Sequence, residues 1–254
     1  NMHFYYNPVT EEVRKMCWNQ GDWRFYIHYK EWQKKTLDIA KQIVAEHKID
    51  ILHQLNMIGF REPGYLWKIK NIPFVWGPIG GLHKFPSAYS EGAGIKMRVF
   101  NRLKNTINTL QIKYDGRVNE ALKRGSLLIS STPDSYRAIK IHKKKDSVLI
   151  PETGTFISAD VPTKRFYEED FHALWVGRLI FSKLLPLALR SLAATKNKHI
   201  VLDVYGQGNE SQETEAKKLA TDLGVSAQIV WHGNQPHAIV QKAMREAQLF
   251  FFTS

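Results

Sequence analysis

At 254 residues, with 43% hydrophobic and 24% charged positions, the sequence has the composition of a globular protein large enough for two modest cores. No apolar run reaches the roughly 18–20 residues of a membrane span. The start, Asn1-Met2-His3-Phe4-Tyr5, shows neither the basic nor the apolar part of a signal peptide, and the lone Cys17 rules out an internal disulfide. A reducing cytoplasm fits that usage. The net charge of +12 is unevenly placed, with 14 Lys/Arg against 4 Asp/Glu between Lys84 and Lys145. That stretch reads either as a surface for an anionic partner (phospholipid, lipid phosphate or nucleic acid) or as a solvated helix face.

In chain order, the aromatic-rich first ~30 residues, with Trp18, Trp23, Phe25, Tyr26 and Tyr29, carry no clear period. Leu37, Ala40 and Val44 then repeat at helical spacing up to His47, and Ile49–His53 reads as a short strand. A short helix over Pro63–Lys70 and a strand over Ile72–Trp76 follow, closed by the turn Gly77-Pro78-Ile79-Gly80-Gly81. One long helix is expected over Ile95–Lys123, its apolar stripe running Val99, Leu103, Ile107, Leu110, Tyr114, Val118, Leu122. Leu127–Ser130 reads as a strand, Pro133–Ile141 as a helix opened by proline, and Ser147–Ile150 as a strand. The Pro/Gly-bearing polar segment from Pro151 to Thr163 marks a domain boundary, dividing the chain into 1–162 and 163–254. Beyond it, strands at Ala173–Val176, His199–Tyr205, Gln228–Trp231 and Leu249–Phe252 alternate with helices at Lys183–Thr195, Gln212–Leu223 and Pro236–Ala247. Apolar strands separated by amphipathic helices imply an α/β fold with parallel sheets and helices on both faces.

Four segments of the second half stand in a telling order: Val176-Gly177-Arg178-Leu179 with Lys183 five residues after the arginine; Asp203-Val204-Tyr205-Gly206-Gln207-Gly208-Asn209-Glu210; Val230-Trp231-His232-Gly233; and Ala247-Gln248-Leu249-Phe250-Phe251-Phe252-Thr253-Ser254. In the first half, Asp50-Ile51-Leu52-His53, Pro73 through Gly81, and Ile150-Pro151-Glu152-Thr153-Gly154 fit the same pattern less specifically. Together they resemble the family 4 retaining glycosyltransferases over roughly residues 48–254. The resemblance implies a GT-B fold of two Rossmann-like domains, the first on the acceptor side and the second binding a nucleotide sugar. It also implies that the chain is cut short at both ends. The first strand and glycine loop of the N-terminal unit are not recognisable, Ser254 begins the loop leading to the family's Glu-x7-Glu motif, and such a fragment is expected to be inactive alone.

The chemistry asks for these residue types. Glycosyl transfer expels a nucleoside diphosphate, so negative charge grows on the β-phosphate, and cations aimed there stabilise the transition state most. The resemblance assigns that task to Arg178, which can fork onto two oxygens, and to Lys183, a point charge. The local alternative is a Gly-Arg that caps a turn. Gly206 and Gly208 end a strand before a helix, where bare backbone approaches a ligand, although an ordinary tight turn uses glycine too. The third glycine of a dinucleotide fingerprint is missing, so NAD is not read. Gly233 resembles the loop beside the nucleobase, and Gly80 and Gly81 lie where the family faces the donor sugar. Where many relatives carry a histidine, this chain has Trp76-Gly77, so no catalytic residue is assigned. His53 and His83 are the nearest sugar- or acceptor-side candidates, and a lone histidine is more often structural. The ten histidines show no metal-binding spacing. No metal or cofactor is expected, and a UDP-, GDP- or ADP-sugar serves as co-substrate.

The expected acceptor is a carbohydrate or a lipid-linked sugar, the expected location cytoplasmic or peripheral on the inner face of the plasma membrane. The 95–123 helix, with Lys96, Arg98, Arg102, Lys104, Lys113 and Arg117, either docks on anionic lipid or turns its stripe into the core. Two other readings stay open. One is a sugar-nucleotide epimerase or phosphorylase on the same fold. The other is a non-catalytic anion- or nucleic-acid-binding protein, against which the absence of an aromatic RNA-binding signature counts.

Overall fold

A computed structural model describes residues 2–17, 24–55, 59–84, 86, 94–154 and 170–253. Trp18, Trp23, the linker from 155 onward and Ser254 lie outside the described residues. The chain divides into two compact units, Asn1–Thr155 and Phe156–Ser254, so the boundary expected after residue 162 also falls outside them.

The first unit opens with helices α1 (Glu11–Cys17) and α2 (Arg24–Glu46). The latter begins well before the expected periodic segment. Phe25, Tyr29, Gln33 and Leu37 recur every fourth residue and are all buried, an apolar stripe interrupted by a glutamine. That glutamine donates to the Tyr29 hydroxyl at 3.0 Å, which satisfies it inside the core. Strands β1 (Leu52–Gln54), β2 (Phe74–Ile79), β3 (Leu127–Ser130) and β4 (Val148–Leu149) form one parallel sheet in the order 1-2-3-4. Two expectations shift here. The Pro63–Lys70 helix is only a 3-10 turn at Leu66–Lys68, and β2 runs through Gly77-Pro78 to Ile79 with a register shift, rather than ending at Trp76.

The long helix expected over Ile95–Lys123 is two helices, α3 (Ile95–Tyr114) and α4 (Gly116–Arg124). Asp115 breaks it, because its carboxylate accepts the backbone N–H groups of Arg117 (2.9 Å) and Val118 (3.1 Å) and so caps α4. The expected stripe divides at the same point. Val118 and Leu122 are buried with Trp76, Leu128 and Ile139 in the core of this unit. The α3 part points outward: Val99, Phe100, Leu103, Ile107, Leu110 and Tyr114 are between 42% and 74% exposed. Meanwhile α3 buries Asn108 and Ile112, with Asn101 and Asn105 half-buried on the same side. Its amphipathicity is therefore inverted, polar residues inward and apolar residues outward. Helix α5 (Pro133–Lys143) follows β3 and ends in a left-handed Lys144.

Part of the basic surplus proves internal. Arg117 forks onto Glu62 (Nη1–Oε2 2.6 Å, Nη2–Oε1 3.1 Å), a pairing that raises its pKa further above the ordinary arginine range. The Lys145 ammonium donates to the carbonyls of Leu122 (2.7 Å), Lys123 (2.8 Å) and Gly125 (2.9 Å), closing the carboxyl end of α4. Arg117 thus leaves the set of lipid-docking candidates.

In the second unit, β5 (Phe171–Val176), β6 (Ile200–Tyr205), β7 (Ile229–Gly233) and β8 (Leu249–Phe250) form a parallel sheet in the order 7-6-5-8. Helices α6 (Leu185–Thr195), α7 (Glu210–Asp222) and α8 (His237–Glu246) alternate with them. Trp175, Leu202 and Val204 share one core with Leu185, Ala188 and Leu189 of α6 and Ala216 and Ala220 of α7. This βαβ alternation leaves the carboxyl ends of β5, β6 and β7 at one edge, the place where parallel sheets present loops to ligands. Among the described residues no helix is long and apolar enough to cross a membrane.

Candidate functional site

A cleft of about 650 Å³ opens at that edge of the second sheet, lined by Val176, Gly177 and Arg178 after β5, Tyr205 through Asn209 after β6, and Asn234 and Gln235 after β7. Its floor is made of close backbone. The Gly177 N–H donates to Tyr205 C=O (2.9 Å) and the Gly206 N–H to Gly233 C=O (2.7 Å), so the three strand ends are tied in series. Gly206 has φ +138, and a Cβ there would fall on the Gly177 carbonyl oxygen. Only glycine fits. A Cβ at Gly208 would meet Gln212 and Leu179 at 2.8–3.0 Å, and its N–H already donates to Glu213 Oε1 at 3.3 Å. Gly206 and Gly208 are therefore accounted for by packing, with the α7 amino end closed by the Asn209–Gln212 capping box. Gly233 has φ +66 and open space beside it.

Arg178 is exposed, lines the cleft, and among the described residues forms no ion pair. Lys183 sits in a 3-10 turn, Phe181–Lys183, rather than at the start of α6. Its aliphatic stem passes Gly177, where a Cβ would be 3.5 Å from Lys183 Cγ, and its ammonium lies 5.5 Å from the centre of the Phe252 ring. Arg178 and Lys183 thus flank the same glycine. Thr253 fixes the turn from beneath: its hydroxyl accepts the Trp175 indole N–H (2.9 Å) and donates to Lys183 C=O (2.7 Å). Nothing in the motif around Thr253 shows that role in the sequence.

One polar cluster is not legible in the sequence as a cluster. Asp203 accepts from His172 Nδ1 and His232 Nε2, each at 2.7 Å, and His232 stacks on Tyr205 with ring centres 4.1 Å apart. Burial, with Asp203 and Glu246 adding to it, raises the Tyr205 pKa. Three strands each supply one residue, so no sequence spacing reveals the cluster. It props the Tyr205 ring that lines the cleft. Among the described residues no group of three or more His, Cys, Asp or Glu could hold a metal ion.

In the first unit the predicted residues spread out. His53 Nε2 lies 2.9 Å from Gly77 C=O, a contact between β1 and β2 that fits a structural role, while His83 is exposed after Leu82. Gly80 is buried against Ser131 and the Glu152 carboxylate, and Gly81, at φ +79, lies beside Arg61. Neither Glu152 nor Arg61 was singled out from sequence.

Residues 157–254 match the family described as Glycosyl transferases group 1. No curated protein sequence matches the chain. Among solved structures, Anabaena Alr3699/HepE in complex with UDP is similar at TM-score 0.53 and 16% identity, over 85% of this chain and 56% of that one. WaaG, a glycosyltransferase involved in lipopolysaccharide biosynthesis, is similar at 0.51 and 16%, over 90% and 58%. A glycosyltransferase from Rickettsia africae is similar at 0.50 and 14%, over 82% and 53%. The chain thus spans a little over half the length of these structures. Residues 157–254 are thus similar in sequence to a group 1 glycosyltransferase domain, and the chain shares the two-sheet α/β fold of these glycosyltransferase structures.

Proposed function

We propose that this chain serves transfer of a sugar from a nucleoside diphosphate sugar to a carbohydrate or lipid-linked acceptor, with the retention typical of family 4. The observation that carries the reading is Arg178: a guanidinium without a carboxylate partner among the described residues, at the strand-end cleft of a group 1 domain. An unpaired, exposed cation in a cleft floored by close backbone suits a diphosphate, whose charge rises as the glycosidic bond breaks. Lys183 supplies the second positive charge, and Phe252 and Thr253 hold its turn. The Tyr205–His232 stack, propped by Asp203, offers a flat surface for the base. The donor is a UDP-, GDP- or ADP-sugar, and no metal or organic cofactor is assigned a step. Titration of the chain with the three nucleoside diphosphates tests the reading: saturable binding that Arg178→Ala weakens about tenfold or more is expected. Binding that ignores the substitution removes it.

A membrane-surface location is supported by α3. Its outward apolar face is bordered by Lys96, Arg98, Arg102, Lys104 and Lys113, and the helix contains no acidic residue. Such a face suits the inner, anionic leaflet of a membrane, where lipid-linked acceptors reside. Flotation with phosphatidylglycerol vesicles, but not with neutral ones, is the expected result. No flotation with either would argue for a solvated helix, and equal flotation with both would remove the anionic preference.

A further inference from the structure

The carboxyl edge of the first sheet carries a cation that the sugar-transfer reading has not used. Arg61 is half-buried, with its guanidinium 5.2 Å from the centre of the buried Phe60 ring. Its Nε (3.1 Å) and Nη2 both donate to Asn108 Oδ1, a neutral acceptor. No carboxylate among the described residues lies within 4 Å of it. The neighbouring Glu62 is taken by Arg117, and burial holds the Arg61 guanidinium below the ordinary arginine range, with Tyr26 opposing that shift. A half-withdrawn charge with only an amide for company is incompletely compensated.

The amide that meets it is also incomplete. Because a guanidinium only donates, Asn108 must turn Oδ1 toward Arg61, which leaves Nδ2 to find an acceptor elsewhere. Asn108 is 4% exposed, and Nδ2 has no hydrogen-bond partner. A buried donor therefore stands unsatisfied beside an uncompensated cation, and both are short of an anion. The backbone beside them is glycine. Phe60 N–H donates to Gly80 C=O at 3.0 Å, and a Cβ built on Gly81 would stand 3.7 Å from Arg61 Nη1. At Gly80, one residue away, a Cβ would stand 2.6 Å from Glu152 Oε1. A carboxylate that accepts hydroxyls and a cation that takes phosphate thus flank consecutive residues at a strand end, where parallel sheets hold ligands.

The geometry points to a phosphate-binding subsite at Arg61–Gly81, with Glu152 on its sugar side, so that the acceptor is a phosphorylated sugar rather than a neutral glycan. Naming this ligand an acceptor rests on the sugar-transfer reading; the anion site itself does not. Phosphate here stands for a free sugar phosphate or the phosphate of a lipid-linked sugar, which share the chemistry.

The test is hydrogen exchange of the full chain with inorganic phosphate, glucose 1-phosphate or glucose, with UDP present throughout to occupy the second-unit cleft. Protection at residues 59–62 and 80–82 by both phosphates, stronger with glucose 1-phosphate and absent with glucose, is expected. Affinity should fall about tenfold or more in Arg61→Gln and stay within twofold in Arg137→Gln, a surface control. If Arg61→Gln does not fold, the protection map of the unaltered chain decides. Protection confined to other segments, equal affinity in Arg61→Gln and Arg137→Gln, or protection by glucose alone would overturn the assignment. Phosphatidylglycerol vesicles added in place of glucose 1-phosphate separate the sources, since protection only with vesicles assigns the site to a bilayer headgroup and overturns the acceptor role. Failure of UDP to protect 176–180 would count against the sugar-nucleotide reading alone.

Discussion

Gly206→Ala is the perturbation that probes the cleft floor most sharply. A methyl group at this position meets two separate penalties. The φ of +138 is one that L-residues rarely adopt, costing on the order of 1–3 kcal/mol. The new Cβ also falls on the Gly177 carbonyl oxygen. That oxygen cannot retreat easily, because the Gly177 N–H is bonded to Tyr205 C=O at 2.9 Å and the Gly206 N–H to Gly233 C=O at 2.7 Å. Forcing such an overlap into packed structure adds about 1–3 kcal/mol. The natural control is Gly224→Ala, where φ is +69 but nothing lies within 4 Å of the added Cβ, so only the backbone cost of about 1–2 kcal/mol applies. Native-state hydrogen exchange of the β5 and β6 amides reports the second unit alone and gives both numbers. The expectation is that Gly206→Ala loses about 1–3 kcal/mol more than Gly224→Ala, the overlap term of that estimate. Equal losses would refute the claim that close backbone packing, rather than turn conformation, requires glycine at 206.

Other substitutions test the first unit. Lys145→Met removes three donors from the carboxyl end of α4; a loss of about 1–3 kcal/mol in urea unfolding is expected, and no change would mean that water replaces the ammonium. Arg117→Met leaves Glu62, 7% exposed, without its forked partner. That should cost about 3–5 kcal/mol, checked by the same unfolding experiment, while a neutral outcome would deny the pair a structural role. Phe100→Ser with Leu103→Ser should change stability by less than about 0.5 kcal/mol, since both side chains face outward. The same pair of changes should abolish flotation with anionic vesicles. Ile112→Ala, on the buried side of α3, should instead cost about 2–5 kcal/mol in unfolding.

The alternating helices and strands of the second unit were legible because each strand is a short apolar run bounded by turn residues. The boundaries moved by only a few positions: Ala173–Val176 became Phe171–Val176, and Gln228–Trp231 became Ile229–Gly233. Periodicity misled at α3, where a stripe at helical spacing looks the same whether it faces a core or the outside. Only the burial of Asn108 on the opposite side decides which it is. It also could not see that Asp115 would rather cap than continue a helix. Arg178 could be named as a candidate because its motif is local in sequence. Asp203 with His172 and His232, and Glu152 against Gly80, could not, because each grouping is assembled by strands or loops far apart in the chain.

A diphosphate held at the second sheet by Arg178 and Lys183 requires that nucleoside diphosphates bind and that both cations contribute. Isothermal titration of the unaltered chain with UDP, GDP and ADP, repeated on Arg178→Ala and Lys183→Ala, tests it most directly. Saturable binding of at least one of the three, weakened about tenfold or more by each substitution, is expected. No binding of any of them, or binding that both variants retain in full, would contradict it.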